Sequence, residues 1–275
     1  MKPGLGRRVI GKTPHAVIAA IGLVVLVPML WVVAASLRQR NVLTGGFTDF
    51  SDFGFGNYSR ALHASLARNL LNSLIASGIA SVLAVAAATV TAYGFSRFSF
   101  RGARPLFWAM LLLQLIPTAS LVVPLYRLWG ELRLFNSIGG LGLAYAGLST
   151  AVCVLLIKGF VDEIPRDFDE AAAIDGCSSW AVFWRVVLPL LGPAMVAGGI
   201  FVFITTWQEF VIASSVTNDP RYYTVTVGLQ QFSGEYRTDY GAILAGSVLT
   251  ALPIVLVFAA FQRYFVQTVT GAVKG

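Results

Sequence analysis

Six apolar runs, each long enough to form a helix that crosses a lipid bilayer, restrict this chain to very few folds. A hydrocarbon core about 30 Å thick needs about 20 mostly apolar residues per helical crossing. Runs of that kind occupy residues 16–36, 70–95, 106–128, 138–160, 191–216 and 241–265. Lipid offers no water to unpaired N–H and C=O groups, so each run is expected to close its own hydrogen bonds as a helix. Pro117 and Pro124 are expected to kink the third run. With 56% of the residues hydrophobic and only 12% charged, the composition agrees with an integral membrane protein. The expectation is therefore an all-α membrane protein with no soluble domain. Residues 1–15 form a cytoplasmic N-terminal segment, 16–265 a six-span domain with a cytoplasmic loop at about 161–190, and 266–275 a cytoplasmic tail.

An even number of spans puts both termini on one side. Twelve of the 20 Lys and Arg residues fall on that side, among them Lys2, Arg7, Arg8 and Lys12 before the first run and Arg97, Arg101 and Arg104 after the second. The positive-inside rule then makes both termini cytoplasmic. Arg7 and Arg8 before the first run and Ala34-Ala35-Ser36 at its end mimic a secretory signal, but the apolar stretch is too long for a signal core. The net charge of +7 comes from basic residues scattered over loop ends, with no stripe among aromatics, so no nucleic-acid partner is expected.

Several chemistries are expected to be absent. Cys153 falls inside the fourth run and Cys177 in the loop that follows, without redox or metal spacing. His15 and His63 are isolated on opposite sides, so no metal site is expected. Gly6-Arg7-Arg8-Val9-Ile10-Gly11-Lys12-Thr13 fits the phosphate-loop pattern, yet such a loop must follow a buried strand, and here a membrane run follows instead. No cofactor is expected. A membrane-embedded enzyme would need clustered intramembrane His, Asp, Ser or Cys. A stand-alone secondary carrier would show internal repeats with interrupted helices in matching positions.

The polar segment between the fourth and fifth runs has its own local logic. Pro165 suits a first helical turn, and Asp167, Asp169 and Glu170 place negative charge where the helix dipole favours it. Gly176 supplies a stop. Ser178 or Ser179 can cap a second helix in which Trp180, Phe183, Trp184, Val187 and Leu188 form one stripe, closed by Leu188-Pro189. A lipid-bound interfacial helix would carry Lys and Arg, whereas this loop holds Asp162, Glu163, Asp167, Asp169, Glu170 and Asp175. A protein groove, or the chain's own spans, is the expected acceptor.

Glu170-Ala171-Ala172, Asp175-Gly176, Phe183 and Leu188-Pro189 with Pro193 resemble the EAA motif of ABC importer permease subunits. Asn72-Ser73-Leu74, Ala92-Tyr93 with Phe98, Phe100 and Arg101, Ile116-Pro117, Pro124-Leu125-Tyr126 and the terminal Gly271-Ala272-Val273-Lys274-Gly275 narrow the resemblance to the carbohydrate-uptake group. It covers nearly the whole chain. Cys177, where the motif usually has alanine, and Trp207-Gln208-Glu209-Phe210, where an asparagine-bearing version is more familiar, depart from it. The resemblance implies the type I importer permease fold in a bacterial inner membrane and the permease subunit of an ATP-driven importer for a sugar or oligosaccharide. The loop becomes a coupling helix seated in a cytoplasmic ATPase, with Glu170, Ala171, Ala172, Asp175, Gly176, Phe183, Leu188 and Pro189 as coupling residues. The chain itself is then a transport subunit, not an enzyme. Its implied partners are two ATP-binding subunits, a second permease, an extracellular solute-binding protein or lipoprotein, the sugar and membrane lipid. A non-sugar small solute is the alternative cargo.

Glu209 is the acidic residue inside a run, and an ionisable group at that depth is a candidate for gating or lining a pathway with Trp207 and Gln208. The other reading is a packing hydrogen bond to Gln208, Thr205 or a partner subunit. Ser73, Ser77 and Ser81 beside Ala76, Ala80, Ala84, Ala88 and Ala92 form a close-packing face, within the bundle or against a second permease. The loop at 217–240 carries Tyr222, Tyr223, Phe232, Tyr236 and Tyr240 with Gln230 and Gln231. By resemblance it contacts the binding protein, while tyrosines at an interface also act as simple anchors.

Overall fold

The computed structural model describes residues 13–40, 52–234 and 238–272. The basic segment with its phosphate-loop-like pattern, Tyr236 and the last three residues lie outside the described residues. The described chain is helical, with two isolated bridges, Arg38 to Phe53 and Ser233 to Thr238, as its only extended pairings. In chain order the helices are α1 (Thr13–Ser36), α2 (Gly56–Ala61), α3 (Ala67–Arg97), α4 (Ala103–Leu112), α5 (Val122–Glu131) and α6 (Ile138–Glu163). They continue with α7 (Asp167–Ile174), α8 (Ser179–Val182), α9 (Leu188–Leu190), α10 (Gly192–Trp207), α11 (Val211–Val216), α12 (Val225–Gln230) and α13 (Tyr240–Ala272). Two compact units result: Met1–Leu66 with Leu229–Ala251, and Ala67–Gly228 with Leu252–Gly275.

All six expected runs are helical, but they are not six straight spans. Among the described residues three helices are long and apolar enough to cross alone, Gly56–Arg97, Ile138–Glu163 and Tyr240–Gln262, and two more cross if each of two bent pairs counts as one. The 24 residues of α1 reach about 36 Å at about 1.5 Å per residue, although its described apolar stretch, Ala20–Ser36, is shorter than a full crossing. The third run bends by 99° between Leu115 and Thr118, where Pro117 is extended and lacks the N–H that would continue the ladder. Pro124 makes no kink, because it sits in the first turn of α5, where a missing N–H costs nothing. The fifth run is interrupted: α10 ends at Trp207, residues 208–210 leave the helix, and α11 resumes at Val211.

The core of the larger unit is a close helix triplet. On α3, Ala76, Ala80, Ala84, Ala88 and Ala92 are completely buried, and α6 presents Leu141, Cys153, Val154 and Ile157 to the same core. The small-residue face therefore packs within the chain. A side chain as small as methyl does not fit at the crossing, since a Cβ on Gly142 would lie 2.8 Å from Ile79 Cγ2 and 3.1 Å from the Ala76 carbonyl. Gly198 of α10 meets Cys153 in the same way, at 3.0 Å. Without a hydrophobic force between helices in lipid, such backbone approach supplies the attraction. Gly142→Ala should cost about 1–3 kcal/mol by overpacking, read as a lowered thermal transition of the detergent-solubilised protein; an unchanged transition would contradict this close crossing.

In the smaller unit the end of α1 is tied by side chains. Asn57 Nδ2 donates to the Ser36 carbonyl at 2.8 Å and the Arg38 carbonyl at 2.6 Å. Tyr58 and Ser36 share a hydroxyl bond of 2.7 Å, and Arg60 pairs with Asp239 at 3.1 Å. Outward faces stay apolar: Val24 is 74% exposed and Leu256 66%, as helices solvated by lipid tails require.

Candidate functional site

The loop after α6 folds into an elbow of two short helices. Pro165 lies ahead of α7 instead of inside it, and its carbonyl accepts from Phe168 N. Asp167, Asp169 and Glu170 occupy the first turn, where their charge meets the positive helix end. At the other end Cys177 N donates to Ala172 O at 2.9 Å and Gly176 N to Ala173 O at 3.0 Å, the two bonds of a Schellman cap. That cap needs a left-handed residue, and Gly176 supplies it with φ +81°. Between the two candidate caps, Ser178 is the one used, its Oγ accepting from Ala181 N at 3.3 Å. Leu188-Pro189 does not close the second helix. Helical backbone continues to Leu190 and turns by 72° into α10.

The expected stripe of the second helix is divided between two environments. Phe183 and Val187 are buried, with Leu188 packed beside them, while Trp180 and Trp184 are 57% and 51% exposed. Phe183 packs against Tyr93 of α3 at 4.9 Å between ring centroids and against Trp180 at 5.4 Å. The back of the elbow is thus anchored on the chain's own span. Tyr93 donates to the Ser179 carbonyl at 3.2 Å, Arg97 to the Ile164 carbonyl at 2.9 Å and Arg166 to the Ser96 carbonyl at 3.2 Å. Arg97 also faces Asp169, Nε to Oδ2, at 2.7 Å. The front carries Ala171 and Asp175, both exposed, with Phe168 at 50% and Ile174 at 87%, while Glu170 and Ala173, also exposed, line a recess of about 230 Å³ with Tyr93, Arg97 and Asp169.

Of the anchoring residues Phe183 was a candidate on sequence grounds, whereas Tyr93, Arg97 and Arg166 were not; the one hint was a basic residue, Arg97, ending an apolar helix. Asp169 sits 21% exposed against an Arg97 that is 8% exposed, between the surface and buried regimes for ion pairs. Asp169→Ala should therefore lower stability by about 2 kcal/mol. Thermal unfolding in detergent measures it, with Asp169→Asn as the conservative partner. A change below about 0.5 kcal/mol would mean the pair is dispensable.

The second candidate region lies at the interruption of the fifth run. Glu209 does not pair with Gln208 or Thr205. Its Oε1 accepts from Ile212 N at 2.8 Å, and its Oε2 from Ala213 N at 3.1 Å and from the Tyr145 hydroxyl at 2.9 Å. The carboxylate caps α11, satisfying two N–H groups that a helix start leaves without partners, and ties that start to α6. It also lines a cavity of about 550 Å³ with Tyr145, Gln114, Thr205 and Thr206 among apolar walls. Trp207 and Gln208 do not share this cavity: Trp207 is buried and stacks on Phe203 at 5.4 Å, and Gln208 is exposed. Tyr145 was missed because a tyrosine in an apolar run reads as packing.

The outer-loop candidates separate. Asn72 Nδ2 donates to the Arg221 and Tyr223 carbonyls at 2.9 and 3.0 Å, and Ser73 Oγ accepts from Val225 N at 2.8 Å, so α3 holds the stretch bearing Tyr222 and Tyr223. Asn136 Oδ1 accepts from Asn218 N and Asp219 N. The Arg221 side chain, then its N–H, holds the Asp219 carboxyl below the usual carboxylate range, so this turn loosens only as pH falls through that lowered value. Gln230 and Gln231 are exposed at the end of α12. Among the described residues no group of His, Cys, Asp and Glu could hold a metal ion.

The described residues form a helical bundle with apolar outer faces and an anchored elbow between its fourth and fifth apolar runs, the architecture of a membrane transport subunit. Residues 80–271 match the model of the binding-protein-dependent transport system inner membrane component family, and the chain belongs to that family. The maltose/maltodextrin transport system permease protein MalG of Escherichia coli is 35% identical over 272 residues, 91% of this chain and 91% of that protein. The diacetylchitobiose uptake system permease protein NgcG of Streptomyces coelicolor is 32% identical over 260 residues, 93% and 86% of the two chains. A crystal structure of a bacterial ABC transporter involved in the import of the acidic polysaccharide alginate superposes with a TM-score of 0.81, covering 96% of this chain and 99% of that one at 20% identity, a likeness of fold. The chain is a multi-pass inner-membrane permease subunit of an ABC importer, and such permeases work with separate ATP-binding subunits and a binding protein.

Proposed function

We propose that this chain is the permease subunit of a sugar or oligosaccharide importer, in which ATP-driven closure of two ATP-binding subunits is transmitted through the α7–α8 elbow to the spans. The observation that carries this reading is the division of the elbow into an anchored back and an open front. Tyr93, Arg97 and Phe183 fix it to α3 and to the chain's core, while Phe168, Ile174 and Trp180 stay exposed beside Glu170. An aromatic and aliphatic face with a carboxylate at its edge fits a protein groove lined by apolar side chains and a cation. In this assignment Glu170 and Ala171 enter the groove, Ala172 backs them against the chain's core, Asp175 and Gly176 set the elbow, and Phe183, Leu188 and Pro189 carry the motion into α10.

Both termini and the elbow lie on the cytoplasmic side, with 16–265 as the permease domain and 266–275 as a tail directed at the ATP-binding pair. A second permease completes the pathway. Glu209, at the interruption of the fifth run and on the cavity wall, faces that pathway. Trp207 and Gln208 act on it through the position of α10. Tyr222, Tyr223, Gln230 and Gln231 contact an extracellular solute-binding protein or lipoprotein. Sugar as cargo is supported by two relatives above 30% identity named for maltose and diacetylchitobiose uptake.

Purification of the tagged chain from its native membranes, with mass spectrometry of the associated chains and an ATPase assay, tests this. A nucleotide-binding subunit and a second permease, with hydrolysis stimulated by a sugar-loaded binding protein, are expected. Stimulation only by a binding protein loaded with a non-sugar solute would replace the cargo. Solute transport in liposomes by this chain alone would replace the whole reading with a secondary carrier.

A further inference from the structure

Beside the elbow, the turn between α3 and α4 opens a second concavity of about 580 Å³ with an unusual lining. Four cations, Arg97, Arg104, Lys158 and Arg166, meet there with Phe95, Phe98, Phe100 and Phe107, and no carboxylate lines it. Two of the cations are partly neutralised from outside the cavity, Arg97 by Asp169 and Lys158 by Asp162 at 2.6 Å. Among the described residues Arg104 has no ion pair, and it is exposed. Lys158 Nζ also lies 5.6 Å from the centre of the Phe107 ring, so the aromatic face helps to position the ammonium. The cavity therefore combines surplus positive charge with a rigid apolar wall.

We propose that this cavity binds the phosphate of an anionic phospholipid headgroup. Three observations favour a lipid over a soluble anion. The site lies where two apolar helices end and begin, at the membrane boundary. Its apolar rim is exposed, with Phe98 and Phe100 50% and 47% accessible. It continues along α4, where Leu106 on one side and Trp108 and Leu112 on the other are 55%, 55% and 59% accessible, apolar surface for acyl chains. Basic recesses between membrane helices recognise headgroups in this way, and guanidinium forks suit phosphate oxygens. Because Arg97 and Arg166 also hold the elbow, an occupied headgroup site stiffens the turn on which the coupling loop rests.

The test is lipid titration into the delipidated importer, purified through a tag on this chain and followed by native mass spectrometry. Arg97 and Arg166 are left intact because they support the elbow. Each basic residue near a lipid headgroup is worth about 1 kcal/mol, so Arg104→Gln with Lys158→Gln should weaken phosphatidylglycerol binding about thirtyfold. Arg101→Gln removes one charge from the same turn without lining the cavity and should weaken binding by less than about fivefold. Phosphatidylcholine should bind weakly to all forms, and inorganic phosphate should not displace the bound lipid. Equal retention of both lipids, or an equal loss in Arg101→Gln, would reduce the cavity to general surface charge and overturn the proposal. Displacement by inorganic phosphate would make it a free-anion site. Lipid binding is read without transport, so the result stands apart from the coupling assignment, which the purification experiment addresses.

Discussion

Replacing Gly176 with valine should abolish solute-stimulated ATP hydrolysis and uptake while leaving the chain in the membrane. The position is left-handed, with φ +81°, and a Cβ there would meet nothing within 4 Å. Space is therefore not the obstacle. The obstacle is the backbone, since a β-branched residue in the left-handed region costs about 1–3 kcal/mol. At about 2 kcal/mol the capped elbow becomes roughly thirtyfold less populated relative to alternatives that break the bonds of Gly176 N and Cys177 N. Those bonds set the angle between α7 and α8, so the front face loses its geometry while the back remains held by Tyr93 and Phe183. Gly176→Asn, which tolerates the left-handed region, should retain most of the activity. Normal stimulation in the valine variant, at wild-type membrane abundance, would remove the elbow from the coupling path.

Glu209→Ala is expected to act on stability and transport together. It strips partners from Ile212 N, Ala213 N and the Tyr145 hydroxyl at once. Each buried group left unpaired costs about 1–3 kcal/mol, and the total should reach about 3–5 kcal/mol if solvent entering the enlarged cavity satisfies one of them. Glu209→Gln keeps one carbonyl acceptor and the side-chain volume, so it should recover more than half of that loss. Thermal unfolding of the detergent-solubilised chain separates the two variants, and uptake in vesicles adds the functional arm. A glutamine variant with wild-type stability but impaired uptake would assign the charge to the pathway. Equal behaviour in both assays would assign it to the cap.

The legible part of the fold was the set of helices, because apolar run length is a local property and lipid leaves no alternative to helix. The second, fourth and sixth runs became α3, α6 and α13 within a few residues, apart from the extra turns at the end of α13. The third was expected to kink at both prolines and bends only at Pro117, and the fifth, read as continuous, is interrupted. Proline chemistry marks where a helix can break, but the 99° bend at Pro117 and the straight passage through Pro124 depend on what the neighbouring turns pack against. The interruption at residues 208–210 has no proline or glycine to signal it. It persists because the Glu209 carboxylate accepts from the Ile212 and Ala213 N–H groups that the break exposes, and the Tyr145 hydroxyl holds that carboxylate in place.

The candidate site divided similarly. Asp167, Asp169, Glu170 and Gly176 were readable as a helix start and stop, since dipole and left-handed preferences act over a few residues. Arg97, Tyr93 and Asn72 were not, because their partners lie 72, 86 and about 150 residues away in sequence. By itself the amino-acid sequence determined which segments enter lipid as helices, where the polar elbow begins and ends, and which family's motif it carries. Only the tertiary structure decided which face of the elbow is anchored and which is free, and that Glu209 caps a helix at a cavity. It also decided that four cations converge beside the α3–α4 turn. The physical reason is range: burial, dipole and left-handed preferences are written within a few residues, whereas ion pairs, cavities and close helix crossings exist only once distant segments meet.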